Sequence, residues 1–197
     1  MAKKKQKQIH LCECCDAELP TKRLFCDERC TEMHLAASKG TQRYRNDFAV
    51  KTFQEMIRAE AAALPTGTVM AVVNGIIRPV HRMLGECVCV TCGTVGPWRG
   101  GRGWQQMQTG HFCSRKDQSV LFHELNVEVQ CSGCNQPPGS PNEFRLWMLS
   151  QRGAETVEML ESLARKSMSF LRHDLVDMRL EFNRRLKAAE LKMKGTP

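Results

Sequence analysis

Four close pairs of cysteines constrain this chain more than any other feature. The sequence of 197 residues has eleven cysteines. Eight of them form the pairs Cys12/Cys15, Cys26/Cys30, Cys89/Cys92 and Cys131/Cys134. Cysteines that are merely small buried side chains have no reason to be paired, whereas thiolate ligands of zinc come in pairs at this spacing. Four pairs make two tetrahedral four-sulfur sites, so the sequence predicts two structural zinc ions.

The cysteines are expected to bind metal rather than to form disulfides. The stretch "MAKKKQKQIHLC" is basic and lacks the long apolar segment of a signal peptide. The longest apolar run, residues 69–77, is interrupted by Asn74 and Gly75 and is too short to span a bilayer. We therefore expect a cytoplasmic protein with no membrane segment, in which thiols remain reduced.

The cysteine pairs and the pattern of apolar residues divide the chain into segments. The predicted segments are a basic tail (1–8), an N-terminal zinc finger (9–40), a helical connector (41–86), a second zinc module (87–150) and C-terminal helices (151–197). In the N-terminal zinc finger, Cys14 could replace Cys12 or Cys15 as a ligand, and the spacing leaves this open. With so few residues, folding of that segment must be coupled to metal binding.

Two segments have the periodicity of amphipathic helices. Residues 41–64 place their apolar side chains on or near one face. From Leu171 to Met193 the apolar residues recur in steps of three and four. Such a stripe packs within the chain or forms the seam of a dimer, and the sequence leaves both open.

The net charge of +8 favours an anionic partner. Part of it is the lysine-rich tail, which suits a polyphosphate backbone but would also serve solubility alone. A second basic stretch, residues 97–116, contains no acid and is rich in glycine. The candidate DNA contacts are Lys3, Lys4, Lys5, Arg99, Arg102, Arg115 and Lys116. Nucleic acid is the partner class that the charge favours.

The second zinc module contains more chain than a simple zinc ribbon needs. Cys92 and Cys131 are far apart in sequence, and "TGHFCSR" with His111 lies near the middle of the insert. Asn126 precedes the second cysteine pair and Asn135 follows it directly. A zinc ion bound to both pairs would therefore hold one histidine and two asparagines together.

This arrangement resembles the HNH, or His-Me finger, nucleases. Within that superfamily, "CVTCGT", "GHF", "QCSGCNQ" and "EFRLWMLSQRGAETVEMLE" are similar to the NinG/Rap family of recombination endonucleases of lambdoid phages. The resemblance covers residues 87–190, and a more distant likeness is to recombination endonuclease VII. It implies an α+β fold with a small zinc-stabilised ββα-metal core, encoded by a phage and acting in the host cytoplasm.

The resemblance also implies roles for the three polar residues. His111 would be the general base that deprotonates a water, since an imidazole titrates near neutral pH. Asn135 would bind a catalytic Mg2+ or Mn2+ through its side-chain oxygen. Asn126 would hold the loop that bears the histidine. Each has a plainer interpretation: His111 as a structural histidine or spare zinc ligand, and Asn135 as a cap of the turn after the cysteines.

One position departs from the superfamily pattern. Many HNH enzymes have a metal-binding Asp or His directly before the base histidine, where this chain has Gly110. The second metal ligand would then come from Asp117, His123 or a substrate phosphate, or the metal would be held weakly.

The resemblance implies cleavage of branched DNA such as Holliday junctions and D-loops. Cutting both strands of a junction requires two active sites, so a homodimer is expected. The alternatives are a non-catalytic zinc-finger DNA-binding protein, in which Gly110 marks a decayed metal site, and an adaptor whose zinc fingers bind protein.

Overall fold

Helices and short antiparallel hairpins alternate along the chain. The computed structural model of the protein describes residues 10–11, 18–19 and 42–195. The helices are α1 (Gln42–Ala62), α2 (Ser132–Asn135), α3 (Pro141–Arg152), α4 (Ala154–Ala164) and α5 (Arg172–Met193). The strands are β1 (His10–Leu11), β2 (Glu18–Leu19), β3 (Gly67–Val73), β4 (Ile76–Arg82), β5 (Glu86–Val88), β6 (Val95–Pro97), β7 (Met107–His111) and β8 (Val127–Cys131). Among these residues the strands form four two-stranded sheets, which confirms the α+β class.

Part of the N-terminal prediction lies outside the described residues. The residues concerned are the zinc-finger cysteines Cys12, Cys14, Cys15, Cys26 and Cys30 and the tail lysines Lys3, Lys4 and Lys5. Within the described ranges, no helix is long and apolar enough to cross a membrane.

The predicted helical connector, residues 41–86, contains a β-hairpin as well as a helix. Its first part is α1, but β3 and β4 pair antiparallel with Val73 opposite Ile76. Asn74 and Gly75 make the turn with φ of 52° and 75°, the two positive values that a two-residue type I′ turn requires. The Asn-Gly pair that interrupts the apolar run in the sequence is therefore the signal of this turn. Pro79 is accommodated within β4.

The apolar stripe of α5 packs within the chain. Phe182 and Leu186 are buried against Phe53 and Met56 of α1 in one core cluster. The Arg185 guanidinium bridges the same helices by binding Glu60 at 2.8 Å. The buried side of the stripe is therefore used to attach α5 to α1.

The rest of the core surrounds the β3–β4 hairpin and the second zinc module. Trp147 of α3 donates its indole N–H to the Met70 carbonyl at 2.6 Å. Backbone hydrogen bonds join Val72 to Val90, and Val90 to Val129 of β8. The segment that carries Cys89 and Cys92 is thus held between β3 and β8.

Candidate functional site

Four cysteines from two parts of the chain converge beside β8. Cys89 and Cys92 lie in the connection between β5 and β6, Cys131 ends β8, and Cys134 lies in α2. Their sulfur atoms all lie within 4.8 Å of one another, and those of Cys92 and Cys131 are 3.7 Å apart. Since zinc–sulfur bonds of about 2.3 Å in a tetrahedron place the sulfurs about 3.8 Å apart, the cluster suits one zinc ion.

The remaining described cysteines do not belong to this cluster. Cys87 is buried, its thiol donates to the Arg58 carbonyl at 3.3 Å, and burial raises its pKa to about 12. The backbone N–H of Cys113 bonds to Asn126. The cluster therefore matches one of the two predicted four-cysteine sets.

The cluster fixes a hairpin and the helix that follows it. β7 pairs with β8 from Met107 opposite Cys131 to His111 opposite Val127, and α2 begins directly after β8. His111 ends β7 and Asn135 ends α2. Two cavities, of about 470 and 570 Å3, are each lined by both His111 and Asn135. Two residues predicted from the motif are thus brought to one site.

Asn126 lies next to this site and is fully buried. Its Oδ1 accepts from the Cys113 backbone N–H at 2.7 Å, and its Nδ2 donates to the carbonyls of Cys113 at 3.3 Å and Val120 at 3.0 Å. These bonds close the loop between His111 and β8. Asn126 is not among the residues described as lining the two cavities.

The ring of His111 has a defined orientation. Its Nε2 lies 3.2 Å from the Leu121 carbonyl oxygen. Because a carbonyl can only accept, the ring proton is on Nε2 and the neutral ring has its lone pair on Nδ1. Burial, opposed by the Leu121 bond and assisted by the charge of Arg115, lowers the pKa of His111 to about 4. The imidazole is therefore neutral at pH 7.

The amide of Asn135 is also oriented by a neighbour. Its Nδ2 donates to Gln108 Oε1 at 2.7 Å. The bond leaves the oxygen, rather than the NH2 group, as the end of the amide available to a ligand. An amide oxygen is the type of donor that Mg2+ accepts.

Gln130 of β8 fills the space at Gly110, and the sequence interpretation did not identify it. A Cβ atom added to Gly110 would lie 1.7 Å from Gln130 Oε1 and 2.6 Å from its Cδ. Asp117 and His123, the residues expected to supply the second metal ligand in place of Gly110, are not among the described residues that line the cavities. His123 Nδ1 instead accepts from the Leu125 backbone N–H at 3.3 Å.

The basic residues predicted to contact DNA have different surroundings in the structure. Arg115 lines the larger cavity with His111. Arg99 binds Glu55 at 3.3 Å and Glu190 at 2.9 Å. The other two, Arg102 and Lys116, are exposed, and their contact with DNA stays a prediction.

Arg58 of α1 is a further cavity residue that the sequence interpretation did not identify. Its Nη1 donates to Thr109 Oγ1 at 3.3 Å, and its buried Nε has no partner among the described residues. Desolvation lowers the pKa of its guanidinium. The residues that line the larger cavity include Arg58 and Arg115 but no acid. Helical periodicity places Arg58 on α1 but cannot indicate which cavity it reaches.

These features define a small mixed α+β protein whose polar cavities are built beside a four-cysteine cluster suited to zinc. The chain belongs to the NinG family, since the family model described as "Bacteriophage Lambda NinG protein" matches residues 1–192. The resemblance to the NinG family that the motifs indicate is thereby confirmed. Comparisons with curated proteins and with solved structures find no match.

Proposed function

We propose that the protein is an HNH-type, metal-dependent DNA endonuclease that hydrolyses phosphodiester bonds. The observation that carries the proposal is the common location of two oriented groups. The lone pair of His111 Nδ1 and the oxygen of Asn135 belong to different elements, and both residues line the same two cavities. A proton acceptor beside an oxygen ligand for a cation is what hydrolysis of a phosphodiester requires.

His111 acts as the general base in this proposal. Its hydrogen bond to Leu121 holds the tautomer in which Nδ1 accepts a proton from the attacking water. Its low pKa keeps Nδ1 unprotonated near neutral pH, at the cost of lower basicity. Asn126 contributes indirectly, by holding the loop next to His111.

The chain supplies an oxygen ligand and positive charge to the site. Bound Mg2+ or Mn2+ would stabilise the charge that develops on the phosphate and the leaving 3′ oxygen. Asn135 is its proposed ligand. Arg58 and Arg115 suit a phosphate group, because one guanidinium group can bind two phosphate oxygens at once. The lining of the larger cavity, to which both belong, contains no competing acid.

Branched DNA is the proposed substrate, on the resemblance to the NinG/Rap endonucleases alone. Holliday junctions and D-loops are the forms that this resemblance implies. Two cuts in one junction need two active sites, so we propose a homodimer. Because α5 already packs on α1, the seam would use other surfaces than the buried side of α5.

The test is cleavage of a fluorescent four-way junction with and without Mg2+. Wild type should cut it, whereas His111→Ala should still bind it and cut at least about a hundredfold more slowly, as loss of a general base requires. The matched control is His81→Ala, which changes an exposed histidine of β4 that lines neither cavity and should retain cleavage.

Two outcomes would contradict the proposal at different levels. Binding of the junction without cutting by wild type would favour the non-catalytic DNA-binding alternative. Equal cutting of a linear duplex and a junction would leave the nuclease and remove the preference for branches.

A further inference from the structure

We infer that Gln130 provides a second oxygen ligand for the catalytic cation, through its Oε1. This inference rests on the proposed function and deepens it. Many HNH enzymes have a metal ligand directly before the base histidine, whereas this chain has Gly110 at that position. In this inference, Gln130 of the neighbouring strand β8 takes the place of that ligand.

The spatial argument begins with Gly110. The Gln130 oxygen lies where the Cβ of any other residue at Gly110 would lie, 1.7 Å from that ideal position. Gln130 is only 3% exposed, yet it lines one cavity together with His111 and Asn135. The Gln130 oxygen therefore fills the space next to Gly110, in the cavity that His111 and Asn135 also line.

The pairing of β7 and β8 explains why Gln130 reaches this place. Gln108 is directly opposite Gln130, and Gly110 is two residues further along β7. Residues opposite each other, and residues two apart on one strand, have side chains on the same face of a hairpin. Asn135 bonds to Gln108, so its amide lies on this face as well.

The cysteine cluster orients the Gln130 amide. Gln130 Nε2 lies 3.2 Å from Thr91 Oγ1, which lies 3.2 Å from Cys89 Sγ. With zinc bound, Cys89 is a thiolate and can only accept, so the Thr91 hydroxyl donates to it. The Thr91 oxygen is then an acceptor for the Gln130 NH2 group. This order of donors turns Oε1 away from Thr91 and towards Gly110.

The resulting ligand pair has a definite chemistry. Asn135 and Gln130 offer amide oxygens, which suit a hard divalent cation but carry no charge. Because affinity rises with the number of charged ligands, the cation should bind more weakly than it would to carboxylates. Substitution of Gln130 by glutamate should therefore tighten binding.

The test measures Mn2+ binding to the zinc-loaded, full-length protein by electron paramagnetic resonance of the free ion. Gln130→Met has a side chain of similar length and no hard oxygen, so it should weaken Mn2+ binding at least about tenfold while zinc is retained. Gln130→Glu should bind Mn2+ more tightly than wild type. Gln151→Met changes an exposed glutamine at the end of α3 and should leave the affinity unchanged.

A rescue experiment tests the position itself. Gly110→Asp alone should collide with Gln130 and weaken Mn2+ binding. Gly110→Asp combined with Gln130→Ala removes the collision and places a carboxylate next to the space that the Gln130 amide leaves. The double variant should restore Mn2+ affinity to at least that of wild type.

The contrary outcomes separate this inference from the proposed function. Unchanged Mn2+ affinity in Gln130→Met, with wild type still cutting DNA, would overturn the role of Gln130 alone. Gln130→Glu and Gln130→Met both lose the NH2 group that donates to Thr91. Equal weakening of Mn2+ binding in both variants would therefore assign Gln130 a structural role and also overturn the inference. Wild type that neither binds Mn2+ nor cuts DNA would overturn the nuclease together with its ligand.

Discussion

The two asparagines beside the cysteine cluster have the same side chain and opposite surroundings. Asn126 is fully buried and its amide bonds to three backbone groups of the loop. Asn135 lines both cavities and donates to one side chain. Removal of each amide should therefore affect different properties of the protein.

Asn126→Ala should lower the free energy of unfolding by about 2–4 kcal/mol, because it leaves buried backbone groups unpaired. Asn135→Ala should lower it by less than about 1 kcal/mol and abolish Mg2+-dependent cleavage. Urea unfolding of both zinc-loaded variants gives the comparison. Similar losses of stability would contradict the separation of a loop-holding residue from a ligand.

The low pKa of His111 makes a prediction about stability in acid. Its pKa is about 4 in the folded chain, below the ordinary value of 6.5, so the unfolded state binds more protons between these values. Stability should fall as the pH decreases from 6.5 to 4, and this contribution should not change further below pH 4. In His111→Gln this part of the pH dependence should be absent. Urea unfolding at several pH values measures it, and an unchanged slope in the variant would contradict the assigned pKa.

At the scale of elements, sequence patterns located the helices better than the hairpins. The periodicity of residues 171–193 predicted a helix, and α5 spans Arg172–Met193. The β3–β4 hairpin was not predicted, because short apolar runs do not distinguish strands from helices and the Asn-Gly turn is its one local signal. Partners remote in sequence, such as Gly110 with Gln130 or Arg58 with Thr109, depend on strand register and helix packing. Spacing within a motif does not contain that information.

In the proposed function, Arg58 would give α1 a role in DNA binding that a connector would not have. Arg58→Gln should weaken junction binding and reduce the slope of log affinity against log salt by about one, since one phosphate contact is lost. The stability of Arg58→Gln should equal or exceed that of wild type. The substitution removes a desolvated charge that has no acid bonded to it within the described residues. Junction titrations at several salt concentrations and urea unfolding measure the two effects.

Arg99→Gln is the comparison for Arg58. Arg99 is already paired with Glu55 and Glu190, so its loss should leave the salt slope unchanged. A reduced slope would instead support the DNA contact that the sequence predicted for Arg99. An unchanged slope in Arg58→Gln would remove α1 from the proposed DNA contacts.

At the scale of the whole molecule, zinc content tests the architecture. The full-length protein should contain two zinc ions, one in the cluster of Cys89, Cys92, Cys131 and Cys134 and one in the predicted N-terminal zinc finger. Cys131→Ser should bind one and lose cleavage, because Cys131 joins β8 to α2. Elemental analysis of purified protein gives the stoichiometry. A single zinc in wild type would show that the N-terminal pairs were misinterpreted.

The attachment of α5 to α1 also determines the order in which the protein can mature on the ribosome. Arg185 binds Glu60 across 125 residues of sequence, whereas the cysteine cluster needs only residues 89–134. During synthesis the cluster can therefore close long before the apolar face of α1 receives Phe182 and Leu186. A ribosome that stops between these points would leave a nascent chain with its cysteine cluster formed and an exposed apolar helix, which is a substrate for chaperones and proteases.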